Sequence, residues 1–410
     1  MTKPAARRFQ APEEGLLASL LLAFLAASGL FYVNIMPALV DGLISGLGYT
    51  SRQAGIVASF NVYGAAAGAF AAVFLVRRFH WKRVVATALG LLIALDLTSI
   101  LISDFQVLAA VRFLHGLTGG TVMGMVFGVI ARTRTPDKTF GMLLLVQYGI
   151  GGLGLLFLPR LVPVFGSGVL FVSLAAFSAL AMGTMLFLAD YPLAERKAKT
   201  AGTGRVRWGP LVLAFAAIFL FQAANMGVSA YVIGLGREAG LGTDYISGAL
   251  GVANWVGVVG AVLVIVMGLK FGRLWPFLIG MAVTLAGTWA FHFSDQAGLY
   301  FVANAVTSVT WSFVIPYLLG MAAAFDETGE MGALGGFFSK IGLASGPLAG
   351  AFILGEGGYA GLVNAGLAGL VLCILAGLAP ALMLDRAPIG EAAPTLAPDP
   401  AAAVGTGPTA

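Results

Sequence analysis

Apolar residues in this chain come in runs of about twenty, and polar residues come in short clusters between them. Such a run, wound as a helix, is long enough to cross a hydrocarbon layer. Taking charges, prolines and glycine clusters as boundaries predicts twelve helices. They lie near 16–40, 53–76, 83–103, 105–131, 139–159, 165–189, 209–235, 245–268, 274–293, 297–324, 331–354 and 359–384. The longest polar connection, DYPLAERKAKTAGTGRVRW at 190–208, divides them six and six. The expected organisation is an N-terminal six-helix bundle in 1–189, a linker at 190–208, a C-terminal bundle in 209–386 and a disordered Ala/Pro-rich tail at 387–410.

Composition decides what kind of helices these are. Of 410 residues, 59% are hydrophobic and 10% charged, whereas soluble domains carry roughly 25% charged residues. A chain of this size cannot hide that much apolar surface in a water-soluble fold. The fold class is therefore an all-α polytopic membrane protein. Its 57 glycines suit close helix packing in lipid. The first apolar run is too long for a cleaved signal and is expected to be retained as a spanning helix.

The charges orient the helices. With the N-terminus on the cytoplasmic side, 18 of the 23 Lys/Arg fall in cytoplasmic segments and three, Arg52, Arg160 and Arg237, fall opposite. Arg112 and Lys340 lie inside helices. That asymmetry places both termini in the cytoplasm, with the protein in the inner (plasma) membrane. The acidic stretch FDETGEM at 325–331 dissents on the inner face, where acidic residues carry little weight. The basic balance thus reports topology, and no nucleic-acid partner is implied. Trp81, Trp208 and Trp275 are expected in the aromatic belt at the cytoplasmic helix ends.

Catalytic chemistry has no foothold. The single cysteine, Cys373, permits no disulfide within the chain and reads as a small core residue. There is no metal-type Cys/His cluster, no GxxxxGK[ST] phosphate loop and no Ser/His/Asp spacing. The chain is not expected to be an enzyme or to need a metal or cofactor.

The two halves repeat weakly at an offset of 191–193 residues. Asn34 falls on Asn225, Asn61 on Asn254, Gly55 on Gly248, Gly64 on Gly257 and Gly151 on Gly342. The stretch LAAVRFLHGLTGG at 108–120 places Arg112, Gly116 and Gly120 four residues apart, with His115 between them. On these features the chain resembles the major facilitator superfamily, whose solute site lies between two six-helix halves near mid-membrane. The likeness covers roughly residues 15–386.

The resemblance implies gating residues in the loops after helices 2 and 8. Arg78, Lys82 and Arg83 keep the pattern of the first loop, but Arg77 stands at its acidic position and His80 at its glycine. Gly272 and Arg273 keep the second.

Ionisable residues inside spans cost about 2.5–3.5 kcal/mol each on insertion scales and are functional by default. Asp96, Arg112, His115 and Lys340 are the main ones, with His292 near the end of helix 9. Asp96 and Arg112 each lie about eight residues from the turn at Asp104, so a hairpin brings them to similar depth and lets them pair. Such a pair either braces helices 3 and 4 or makes Asp96 the carboxylate that takes up a proton when it breaks. His115 is a second proton-coupling candidate.

Lys340 is about ten residues from the acidic turn, ~15 Å along a helix, too deep to snorkel out. It is expected to face the cavity and bind an anionic group, with Arg112 contributing. Neutral candidates on helices that line the cavity in the resembled family are Asn34 with Tyr32, Gln147 with Tyr148, Gln222 with Asn225, Asn254 with Trp255, and Asn304 with Trp311. The glycines and proline of GLASGPLAG (342–350) would let helix 11 bend.

The expected function is proton-coupled uptake of a small organic anion, such as an aromatic carboxylate, by alternating access. The transporter would act as a monomer in the lipid bilayer, with small solute and protons as partners. Proton-coupled efflux of drugs or metabolites is the alternative. Helix 5 reads QYGIGGLGLLFLPRL, without the Gly-Pro of many exporters in that superfamily, which leans towards uptake. A non-transporting sensor is the remote alternative.

Overall fold

A computed structural model describes residues 11–12, 15–76, 78–191, 206–326 and 332–386. Arg77, most of the linker, residues 327–331 and residues 387–410 lie outside the described residues.

The described chain is a series of helices joined by short turns. α1 runs over Leu16–Ser28, Phe31–Asn34 and Met36–Leu47. Pro37 cannot donate to the carbonyl four residues back, which helps interrupt this helix beside Asn34. α2 is Ser51–Leu75, α3 Trp81–Ser99, α4 Phe105–Ile130, α5 Pro136–Phe165 and α6 Gly168–Thr184. In the second half, α7 comprises Trp208–Ala230 and Val232–Glu238, and α8 comprises Thr243–Val256 and Val258–Met267. α9 is Leu274–Ala290 with a 3₁₀ turn at Phe291–Phe293, and α10 is Ala297–Ala324.

The last helical stretch, Gly332–Arg386, is 55 residues long. A straight helix of that length would be far longer than a bilayer is thick. Gly358, at φ +62°, breaks it, a conformation that glycine adopts without the Cβ penalty. Residues 332–357 are α11 and 359–386 are α12, an arrangement consistent with the twelve helices the apolar runs predict. α11 passes through Pro347 uninterrupted, so the chain reverses at Gly358 and not within GLASGPLAG.

Helix contact in the first half is closest between α2 and α4. A Cβ on Gly116 would sit 1.7 Å from the Asn61 carbonyl oxygen, and one on Gly64 2.1 Å from that of Phe113. The glycine ladder after Arg112 therefore lets two backbones touch. One buried apolar cluster extends from the first half into residues 226–363, and a second is confined to the C-terminal half.

Trp208 and Trp275 are exposed at helix ends, where a belt residue belongs. Trp81 is not: it is buried and faces Tyr191 at 6.2 Å. Cys373 is buried.

Candidate functional site

Asp96 on α3 and Arg112 on α4 form a fully buried pair, Nη1 to Oδ1 at 2.7 Å. Arg112 also donates to the Leu95 carbonyl at 3.0 Å and to the Ser99 hydroxyl, and its guanidinium lies 4.9 Å from the Phe171 ring centre. His115, one turn along α4, reaches the Asp96 carboxylate at 3.2 Å. Its other nitrogen, Nδ1, meets the Asn61 amide nitrogen at 2.8 Å. An amide N–H can only donate there, so Nδ1 accepts and Nε2–H donates to Asp96. The same Asn61 amide donates to the Arg112 carbonyl at 3.0 Å. Tyr32 lies across His115, ring centres 5.9 Å apart. The hairpin depth thus brings together the four polar side chains of α2, α3 and α4.

A central cavity lies elsewhere. Its volume is about 250 Å³, and residues of both halves line it. Of the expected neutral residues, Asn34, Gln147, Tyr148, Gln222, Asn225, Asn254, Asn304 and Trp311 all line it, together with Thr288, Phe291, Thr307 and Ser308. Among the described residues, no Asp, Glu, Lys, Arg or His does so. Gln222 is fixed in orientation, accepting from Trp311 Nε1 and donating to the Ser339 hydroxyl, both at 2.7 Å. Asn254 donates across the halves to the Tyr148 carbonyl at 2.7 Å.

Four expected site residues, Arg112, Trp255, Lys340 and Tyr32, fall outside this wall. Arg112 is spent on Asp96, because an unpaired buried guanidinium would be far more costly than a paired one. Trp255 donates to the Gly149 carbonyl at 3.1 Å and is partly exposed. Lys340 lines a smaller neighbouring space with Tyr32, Asn61 and His115, and its ammonium lies 3.4 Å from Met123 Sδ. The cavity is thus neutral, not positive as expected. His292 meets the Asn364 side chain at 3.0 Å.

The expected gating residues make their described contacts within their own halves. Lys82 donates to the Leu188 carbonyl at 2.8 Å, while Arg78 and Arg83 are exposed. Gly272, at φ +67°, brings the N–H groups of Arg273 and Leu274 onto the Asp385 carboxylate at 2.8–3.0 Å.

Ties between the halves occur on the opposite face, and all three arginines of that face take part. Arg237 grips Asp41 in a bidentate pair at 2.7 and 3.1 Å. Arg160 bonds the Ser247 hydroxyl at 2.7 Å and the Asp244 carboxylate at 3.2 Å. Arg52 lies 4.4 Å from the Phe352 ring centre. Sequence reasoning missed Asp41 because it sits at the very end of the first apolar run, where a carboxylate looks like a loop residue.

It also missed a correspondence that the repeat offset contains. Adding 192 carries Asp96 to Thr288, Arg112 to Asn304, His115 to Thr307 and Gly116 to Ser308, and 193 carries Asn61 to Asn254. All five C-terminal partners line the central cavity. The same register that holds a buried ion network in one half forms a neutral cavity wall in the other.

Comparisons agree with this architecture. The family model of the Major Facilitator Superfamily matches residues 19–339, and the chain belongs to that superfamily. The nucleoside transporter NupG (a D323A mutant) is similar in structure, with TM-score 0.69, 13% identity, and coverage of 90% of this chain and 99% of that one. A bacterial homologue of the human lysosomal transporter Spinster, inward-facing and unoccupied, has TM-score 0.65 and 14% identity over 91% of this chain and 98% of that one. No curated protein sequence matches. The protein is a multi-pass membrane transporter of the major facilitator fold.

Proposed function

We propose that this transporter carries a small, polar organic solute inward by proton-coupled alternating access, with both termini in the cytoplasm. The observation that carries the substrate reading is the cavity lining: amides, hydroxyls and aromatic rings from both halves, with no charged side chain. Such a wall orients a solute by hydrogen bonds while its rings cover an apolar or heteroaromatic body. A neutral solute fits this lining without leaving a charge unpaired, which is why the expected organic anion becomes the second reading. Lys340 keeps that second reading in play. Leu343, one turn along from Lys340, lines both spaces, so an acidic group on the solute could point towards the ammonium.

Proton coupling is assigned to Asp96 and His115. If the Asp96–Arg112 pair opens during the conformational cycle, the carboxylate is left in an apolar bundle, where carrying a proton costs less than carrying an uncompensated charge. His115, already hydrogen-bonded to the same carboxylate, is placed to pass or hold that proton. The grip of Arg237 on Asp41 and of Arg160 on Asp244 would hold one face closed and release it in turn.

Reconstituted vesicles with an imposed pH gradient test the reading. A labelled nucleoside is the first neutral probe and a labelled aromatic carboxylate the second, each followed into the lumen. Gradient-dependent accumulation of the neutral probe supports the first reading, and accumulation of the carboxylate alone supports the second. Unchanged gradient-driven accumulation by Asp96→Asn would sink the coupling assignment, and export in intact cells would reverse the direction.

A further inference from the structure

The small space beside His115 is separate from the main cavity and has a chemistry of its own. Its volume is about 30 Å³, and the first half contributes Tyr32, Asn61 and His115 to its wall while the second contributes Lys340. That is room for a water molecule or a small ion, not for the body of an organic solute.

Its polar groups are unequally satisfied. Asn61 and His115 are committed to each other and to the Arg112–Asp96 pair. The Tyr32 side chain is 4% exposed, and its hydroxyl has no hydrogen-bond partner among the described residues. Among the described residues, the Lys340 ammonium has no carboxylate within ion-pair distance, and its one polar contact is the thioether of Met123 at 3.4 Å. A thioether is a weak acceptor. The nearby carboxylate, Asp96, is already shared between Arg112 and His115. Among the described residues, two residues that line the same small space thus carry unsatisfied donors: a Lys340 ammonium without a counter-ion and a Tyr32 hydroxyl without an acceptor.

We infer that this space binds one small anionic group, held between the Lys340 ammonium of the second half and the Tyr32 hydroxyl of the first. Both groups are donors, so one anion satisfies both. Because the donors come from different halves, the bound anion bridges them, and its affinity depends on how the halves are arranged. The anionic group is either a free halide or the carboxylate of a solute whose body lies in the main cavity. Val33 and Leu343 line both spaces and form the boundary such a carboxylate would have to pass. The repeat gives a second reason to expect a ligand here. Asn61 and His115 correspond to Asn254 and Thr307, which line the main cavity, so this space is the first half's counterpart of the solute-facing wall.

The test is thermal unfolding of the purified full-length protein in sodium chloride and sodium bromide against sodium gluconate at equal ionic strength. Sodium formate and sodium benzoate are titrated in the gluconate background. Halide-specific stabilisation that saturates, and that weakens at least about tenfold in Lys340→Met, establishes a free-anion site. Stabilisation by benzoate but not by halide or formate, lost in the same variant, establishes a solute carboxylate as the source. Tyr32→Phe keeps the ring and removes the hydroxyl, so it should weaken binding while leaving the unliganded unfolding temperature near that of the native protein. No anion-specific stabilisation, or equal stabilisation of native protein and Lys340→Met, would overturn the proposal. These outcomes are independent of whether nucleoside or carboxylate is transported in vesicles, so the site and the transport reading can fail separately.

Discussion

At one register the first half places Asn61, Asp96, Arg112 and His115, and the second places Asn254, Thr288, Asn304 and Thr307. The first set is closed on itself: a buried ion pair, an imidazole and an amide satisfy one another. The second set lines a cavity of about 250 Å³. Charge accounts for the contrast. A carboxylate and a guanidinium within an apolar bundle must find each other, and in doing so they fill the space. Hydroxyls and amides can be satisfied by the backbone of their own helix, as Asn304 is by the Tyr300 carbonyl at 2.8 Å. They then present their remaining hydrogen-bonding capacity to a solute. A duplicated scaffold has thus separated a charged brace, suited to coupling, from a neutral wall, suited to recognition.

The comparison breaks most severely at its ion pair. Arg112→Gln should destabilise the folded protein by about 3–5 kcal/mol, because Asp96 would be left buried and uncompensated. Asp96→Asn combined with Arg112→Gln should recover much of that loss, as read by thermal unfolding in detergent. If the double variant is as unstable as the single one, the cost lies in packing and not in charge.

The backbone contact comes next. Gly116→Ala would put a methyl 1.7 Å from the Asn61 carbonyl oxygen, so α2 and α4 must separate. A cost of roughly 1–3 kcal/mol is expected. The counterpart change in the second half, Ser308→Ala, faces the cavity and should cost well under 1 kcal/mol. Equal costs would remove the asymmetry on which the comparison rests.

Recognition should respond in the opposite sense. Gln222→Ala removes a group bonded to both Trp311 and Ser339 at the cavity wall. Its expected effect is about a tenfold loss of solute affinity, from one or two hydrogen bonds, with the pH-gradient dependence of transport intact. The smallest effect should come from Thr288→Val, which keeps the shape and removes one hydroxyl. A change of about twofold to fivefold in the concentration for half-maximal transport is expected. Loss of proton coupling in either variant would show that recognition and coupling are not divided between the two corresponding sets of residues.

Much of this was legible in the chain. Twelve apolar runs anticipated the helix order, because a helix in lipid has to be long and apolar along its whole length. The depth of Asp96 and Arg112 in their hairpin anticipated their pairing, and the wide-spaced amides anticipated the cavity wall. Arg112 and Lys340 lie outside that wall, which the sequence could not show, because it reveals that a charge is buried without revealing what buries it. Thr288 and Thr307 went unnoticed because threonine is unremarked in an apolar helix. The repeat offset, applied to Asp96 and His115, was the signal that could have found them.

The ties on the far face, Asp41 to Arg237 and Arg160 to Asp244, had no local signature. Their partners lie 196 and 84 residues apart in the sequence.

The sequence by itself determined a membrane-embedded helical protein, its succession of apolar runs and the few charges that a bilayer would not tolerate unpaired. Those follow from local length, polarity and periodicity, which each segment carries with it. Only the tertiary structure decided that Arg112 belongs to Asp96, that the cavity is neutral, and that Lys340 stands beside Tyr32 in a space of its own. Pairing and enclosure depend on which distant helices meet, and that is set by the packing of the whole bundle.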